Sequence, residues 1–417
     1  MPAARTPSPP SAPRAPLEPA QIRALLGTPG TVLLDGPKKD ADTRRAGALL
    51  FARPVRVLCA DAYDAVPALL AGLDEALAAG HHVAGFLAYE AGYALEPTLF
   101  PEPPAPEGPL GWFGVYGPPE VVAPRLVRAA LEGAGPVRLG PLRFAFSEAA
   151  YAARVDAVRA HIREGDLYQL NLTAPFRFAL EGDPLGLYGA LRARQRVAYG
   201  AFVRTAGDAP RGQTAVCSLS PELFFRTEAS GLLTARPMKG TAPRGGSAAE
   251  DERLARALAR DPKNRAENLM IVDLLRNDLA RVAEPGSVSV PRLFFAERYE
   301  TVTQMTSTVT ARRRDGVSLG DLLRALFPCG SVTGAPRLRA MQRIRELEAG
   351  PRGVYCGAVG YAAPDGAAAF NVAIRTAVAR GGQARYDVGS GIVWDSDAAA
   401  EFAECLLKAR PLTDLVT

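Results

Sequence analysis

Ala215-Val216-Cys217-Ser218-Leu219-Ser220-Pro221-Glu222-Leu223-Phe224-Phe225-Arg226-Thr227, followed by Gly231-Leu232-Leu233-Thr234-Ala235-Arg236-Pro237-Met238-Lys239-Gly240-Thr241, holds the first clear statement of architecture in this chain. Ala215–Ser220, Leu223–Thr227 and Leu232–Ala235 read as consecutive strands, short, apolar and separated by Pro- and Gly-bearing turns. Two helices follow, Ala248–Arg260 and Asn264 to Ala280. Strands at hairpin spacing mixed with long helices predict an α+β fold of packed antiparallel sheets with helices outside, not a doubly wound parallel sheet.

The same stretch carries two groups suited to chemistry. Lys239 sits between Pro237, which fixes its own φ, and Gly240, which frees the next backbone position, where a strand is expected to give way to a loop. A loop lysine is ordinarily a solvated charge. Glu222 stands just before a strand of apolar residues; a desolvated carboxyl there has a raised pKa and suits acid–base work.

Downstream, helix 264–280 is unusually apolar around Glu267, and a carboxylate in such a helix needs a cation or a metal. Cys329–Gly334 forms a Gly-rich turn into a helix Ala335–Ala349, with Ser331 inside it. Strands are expected at Val354–Ala362, Ala369–Ala379 and Ala384–Gly389, placing Tyr361 and Arg375 on strands. Gly389-Ser390-Gly391 reads as a small-residue turn. Ser396 is expected to cap a last helix on which Glu401, Glu404 and Lys408, spaced by three and four, share one face. Two acids one turn apart, without Cys or His, are hard oxygen ligands that suit Mg²⁺; an i,i+4 ion pair of Glu404 with Lys408 is the simpler alternative.

Upstream, Ser147 caps a helix that presents Tyr151, Val155, Val158 and Ile162 on one side. The strand Leu167–Phe178 then places Gln169, Asn171 and Thr173 on one face. A helix Glu18–Leu26, a strand Thr31–Asp35, a helix Ala62–Ala79 and strands Val83–Glu90 and Leu110–Tyr116 precede it, with short strands alternating over 118–146. Residues 1–17 are a Pro-rich tail expected to be disordered, and the rest is expected to divide into 18–145 and 146–412, the latter carrying most of the groups singled out above.

The 417 residues are 48% hydrophobic and 22% charged, enough for a large core, and the net charge of +5 is too diffuse for a nucleic-acid footprint. Five dispersed cysteines, with no CxxC pair, point to reduced thiols in a cytoplasm. Histidine occurs only at 81, 82 and 161, which excludes a His-based triad or His-rich metal site in the last 250 or so residues. No apolar run reaches the length of a membrane span.

Taken in order, GDLYQLNLT (165–173), SPELFFR (220–226), RPMKGTAPRG (236–245), NRAENLMIVDLLRNDL (264–279), FPCGSVTGAPRLRAMQ (327–342), GAVGY (357–361), AIRT (373–376), GSGIV (389–393) and EFAECLLKA (401–409) resemble the chorismate-binding enzyme family. The resemblance runs through most of 150–410 and is weaker over 20–145. It implies a two-lobed α+β fold with a chorismate cleft between the lobes and Mg²⁺ as cofactor. On matching positions it assigns Glu267 and Glu404 to the metal with Glu401 behind them. Arg375, Tyr361, Ser331 and the Gly389-Ser390-Gly391 backbone fall to the substrate's enolpyruvyl carboxylate, Lys408 to a carboxylate, and Thr241 to the substrate set. Gln169 stands where water-adding relatives carry a lysine, so water addition is disfavoured and ammonia fits better. Lys239 stands where anthranilate-forming relatives carry a small residue. The resemblance therefore implies formation of 4-amino-4-deoxychorismate, with Lys239 as covalent nucleophile, Glu222 as proton shuttle and ammonia from a glutamine amidotransferase subunit. Two positions depart from the family pattern: Gln304 replaces a histidine, and Asn264 replaces an acid one turn before Glu267. Anthranilate formation, or chorismate binding without turnover, stand as alternatives.

Overall fold

The computed structural model describes residues 16–36, 47–195, 197–206, 212–299 and 302–416. Residues 1–15 of the Pro-rich tail lie outside the described residues. Among these, two antiparallel sheets of 11 and 10 strands pack together with helices around them, as the α+β reading expects. No helix is long and apolar enough to cross a membrane among the described residues.

The opening stretch folds nearly as read, but its three strands do not form one meander. Thr214–Ser220 belongs to the larger sheet, between Tyr199–Arg204 and Thr376–Arg380. After Ser220 the chain crosses to the smaller sheet, where Leu223–Thr227 pairs with Leu232–Arg236 and with Ala368–Val372. A second crossing runs the other way. The expected single strand over 369–379 is two strands, Ala368–Val372 in the smaller sheet and Thr376–Arg380 in the larger, joined through Arg375 at φ 51°. A positive φ is costly for a side-chain-bearing residue and marks a backbone held by its surroundings. The two crossings hold each other: the Leu219 N–H donates to the Arg375 carbonyl (3.0 Å), the Val372 N–H to the Glu222 carbonyl (3.1 Å), and the Ser220 hydroxyl to the Val372 carbonyl (2.6 Å).

Three further readings are corrected. Gly389-Ser390-Gly391 is not a turn but part of the strand Gln383–Ile392, paired with Thr173, Leu172 and Asn171; Gly389 makes room for the neighbouring strand and Gly391 for the Gln169 and Lys239 side chains. The last helix, Ala398–Thr413, is capped by Asp397, whose side chain accepts from the Ala400 N–H, while the Ser396 hydroxyl donates to Glu401. Within 118–146 there is also a helix, Pro124–Glu132, started by a proline at its first position.

Other elements follow from local signals. Ser147 caps Glu148–Arg163, which buries Tyr151, Val155 and Val158. Ser247 caps Ala248–Arg260, and Asp261 caps Pro262–Ala280. The segments 18–145 and 146–412 are interleaved in both sheets. Thr31–Asp35 pairs with Tyr199–Arg204 in one, and His82–Leu87 with Ala358–Ala362 in the other.

Candidate active site

Lys239 lies in a strand, not in the expected loop. Met238–Pro243 is an edge strand of the smaller sheet and pairs with Val302–Arg312. The ladder is irregular between Met238 and Thr241, so Lys239 and Gly240 form the bulged part. A bulge bends the strand and re-aims the side chains in it. Gly240 has φ +81°, and a Cβ there would fall 2.6 Å from Oδ1 of Asn264. The helix Pro262–Ala280 packs that closely against the bulge. Asn264 is thereby occupied structurally, its Nδ2 donating to Asp261 (2.8 Å).

From the bulge the lysine meets the larger sheet. A Cβ on Gly391 would stand 2.6 Å from Nε2 of Gln169 and 3.0 Å from Nζ of Lys239. Amine and amide thus converge over one glycine, with a residue from each sheet. Gln169 is fully buried, and neither of its polar atoms has a hydrogen-bond partner among the described residues. Buried amides are normally paired, so this one is left for a ligand.

Glu222, at the first crossing, is buried, and its Oε1 has no partner among the described residues. Burial pushes its carboxyl up to about 7, against the opposing pull of Ser331, Lys239 and the Met238 backbone. Burial pushes the Lys239 amine down from its ordinary value; Glu267 opposes this, Lys408 adds to it, and Glu222 and Glu404 oppose it. The site therefore holds an acid that keeps its proton near neutrality beside a lysine that gives its proton up more readily.

A carboxylate group stands on the other side. Burial raises the Glu267 carboxyl; Lys239 and Lys263 act against this, and Glu401 and Glu404 add to it. Three carboxylates within electrostatic reach would be relieved by a cation. Lys408 supplies part of that charge now, with Nζ 2.5 Å from Glu404 and 2.8 Å from the Gly389 carbonyl. Among the described residues no three acidic, His or Cys groups stand close enough to enclose a metal unaided. Mg²⁺ ordinarily takes one or two protein carboxylates and completes its shell with substrate and water. The hard-oxygen donors fit that mode.

The remaining expected residues are placed unevenly. Ser331 lies in a short 3₁₀ turn, Gly330–Val332, facing Glu222. Arg375 has no ion-pair partner among the described residues, which leaves its guanidinium for a ligand. The Ser390 hydroxyl is turned to Tyr151 (2.8 Å), so it is the backbone here that faces the site. Thr241 is exposed and lies opposite Gln304 in the ladder. Tyr361 is tied to the N-terminal strands, its ring 6.0 Å from that of Phe51.

Sequence reading missed Asn268 and Thr303. Both are fully buried, and Asn268 Nδ2 and Thr303 Oγ1 lack partners among the described residues. Asn268 Oδ1 accepts from Ser307, which shares a strand face with Thr303. The period-two run Thr303, Met305, Ser307 was the available signal. It also missed Arg352, which pairs with Glu348 (2.6 Å) and donates to the carbonyls of Val332 and Asn171 (both 2.7 Å), tying the Ser331 turn to the Gln169 strand.

The sequence profile described as chorismate binding enzyme matches residues 31–414. The chain belongs to the chorismate-binding enzyme family. It is 44% identical over 260 residues to aminodeoxychorismate synthase component 1 of Salmonella typhimurium, covering 62% of this chain and 56% of that one. It is 43% identical over 270 residues to anthranilate synthase component 1 of Streptomyces coelicolor, covering 65% and 52%. The matched segment thus spans about half the length of these relatives. Among solved structures, anthranilate synthase component I of Streptococcus pneumoniae superposes with TM-score 0.73 at 26% identity, over 91% of this chain and 95% of the other. A putative 2,3-dihydroxybenzoate-specific isochorismate synthase of Bacillus anthracis reaches 0.74 at 19% identity, over 95% and 99%, and shares the fold. Within that family fold, the lysine, glutamate and glutamine cluster is the candidate reaction centre.

Proposed function

We propose that the chain converts chorismate and ammonia to 4-amino-4-deoxychorismate, a cytoplasmic step towards p-aminobenzoate and folate. The observation that carries this reading is a lysine amine meeting a neutral glutamine over Gly391, its pKa depressed by burial, within electrostatic reach of the buried Glu222 carboxyl held at about 7. A neutral amine is what nucleophilic catalysis by lysine requires. An unpaired, uncharged Gln169 cannot act as the base that water addition needs.

In this reading Nζ of Lys239 bonds to ring C2, the ring π electrons shift, and the 4-hydroxyl leaves as water with the proton of Glu222. Ammonia then bonds to C4, the electrons shift back, and the C2–N bond breaks to release the lysine. The added ammonium returns a proton to Glu222. Chorismate plus ammonia becomes 4-amino-4-deoxychorismate plus water. Arg375, Lys408 and the Gly389–Gly391 backbone orient the carboxylates, with Ser331 beside Glu222; the exposed Thr241 and the Phe51-packed Tyr361 take no part in it. Glu267 and Glu404 would hold Mg²⁺, with Glu401 in support, and the ion would neutralise a substrate carboxylate. The designation component 1 among the relatives supports a glutamine amidotransferase partner as ammonia source.

The test is turnover of chorismate with Mg²⁺ and ammonium, resolved by product. The expected product is 4-amino-4-deoxychorismate, and Lys239→Ala is expected to lower the rate at low ammonia about a hundredfold or more, the lower end of what a positioned catalytic group contributes. Anthranilate as the main product, which the Streptomyces coelicolor relative keeps in view, would sink the assignment. Full rate in Lys239→Ala would sink the covalent step alone, and tight chorismate binding without turnover would favour a regulator.

A further inference from the structure

A cavity of about 230 Å³, lined by strand residues of both sheets and by 107–109 and 352–354, opens at the far end of two strands from the crossings. Thr214 and Arg380, directly opposite each other in the ladder, line it. Thr214 begins the strand that ends at Ser220, so six residue steps, roughly 20 Å, separate it from the first crossing. Arg380 ends the strand that Arg375 precedes. The cavity and the candidate active site therefore lie at opposite ends of the same two strands.

The charges around this cavity do not cancel. Arg177 and Arg385 share the carboxylate of Glu107 (both 3.1 Å), and Arg385 also pairs with Asp387 (2.6 Å). Arg380 has no ion-pair partner among the described residues. Gly108 lies against it: a Cβ there would stand 3.2 Å from its Nη1. Oγ1 of Thr214 is buried without a hydrogen-bond partner among the described residues, and Thr214 is 3% exposed. Buried hydroxyls are normally paired, and an unpaired one costs stability unless something fills the space beside it. Arg352, already paired with Glu348, and Gln383 also line it, while Phe86, Val354 and Val378 supply an apolar part of the wall. A cavity of about 150 Å³ suffices for benzene, so this one has room for a ring and a charged group.

We propose that this cavity binds a small carboxylate with an apolar body, using Arg380 as charge partner, the Thr214 hydroxyl as donor and the Phe86–Val354–Val378 wall for the apolar part. The site is independent of the reaction assigned above.

Titration calorimetry of the full chain with benzoate and, separately, with inorganic phosphate tests it. Benzoate is expected to bind more tightly than phosphate. Its affinity should fall about tenfold or more in Arg380→Ala, less in Arg380→Lys, and stay unchanged in Arg375→Ala. Chorismate turnover and melting temperature of Arg380→Ala should match the parent without ligand. Benzoate binding that survives Arg380→Ala, that is lost in Arg375→Ala, or that is absent overturns the proposal, as does tighter binding of phosphate than of benzoate.

Discussion

Glu222 sits where the chain leaves one sheet for the other, and this fixes both its burial and its acidity. With a folded pKa of about 7 against about 4.5 unfolded, the folded state keeps a proton that the unfolded state has lost. Its contribution to stability is therefore fully present below about pH 4.5 and is lost as pH rises through 7. Glu222→Gln removes that loss. At pH 8 the variant should be more stable than the parent by about 3 kcal/mol at 1.36 kcal/mol per pKa unit, with the gap closing towards pH 4.5 in denaturant titrations. Its turnover should fall by about 10²–10⁴-fold. Lys239, whose pKa is depressed, has the opposite sign: it costs stability as pH falls below its ordinary pKa. Gly391 offers a steric test. Gly391→Ala puts a methyl 2.6 Å from the Gln169 amide and 3.0 Å from the lysine amine. Chorismate turnover should drop at least about tenfold, while the circular dichroism spectrum is retained.

Among the elements, the buried Arg352–Glu348 pair braces the active-site turn against the strand Gln169–Glu181. Glu348 also accepts from the Thr173 N–H (2.7 Å). Arg352→Ala leaves a buried carboxylate unpaired and should cost about 3–5 kcal/mol by urea titration. Glu348 and Arg352 stand only four apart, but the Asn171, Thr173 and Val332 backbone groups they hold lie far from them along the chain, so the sequence does not show what the pair braces. Where signals are local, the sequence is legible. Ala248–Arg260 has its expected bounds because Ser247 caps it and its apolar positions recur at helical spacing. Tertiary context defeats local signals elsewhere. Gly389 and Gly391 carry turn propensity yet lie inside a strand, because the neighbouring strand and the lysine occupy the space a side chain would take. Arg375 looks like mid-strand, but the crossing requires a positive φ there. Lys239 looks like a loop residue because the bulge carries the glycine and prolines of a loop. The carboxylates, the lysine and the glutamine were visible as types and spacings; their convergence depends on pairing across two sheets.

For the whole molecule, the interleaving of N- and C-terminal strands bears on how the chain folds. A fragment 146–417 lacks Thr31–Asp35 and His82–Leu87, and so exposes the long edges of Tyr199–Arg204 and Ala358–Ala362. Unpaired apolar edges promote aggregation. Expressed alone, the fragment should be insoluble or show no cooperative melt, whereas the full chain should unfold in one transition. The paired crossings carry a further consequence, for chain length. Strand side chains alternate with period two, so one residue inserted between Ser220 and Leu223 would turn Glu222 or the following strand to the wrong face. A matching insertion near Arg375 could not repair it, because each crossing hydrogen-bonds the other at fixed residues. Insertions and deletions should therefore be admitted at hairpin tips such as 364–366 and 381–382, and refused at both crossings.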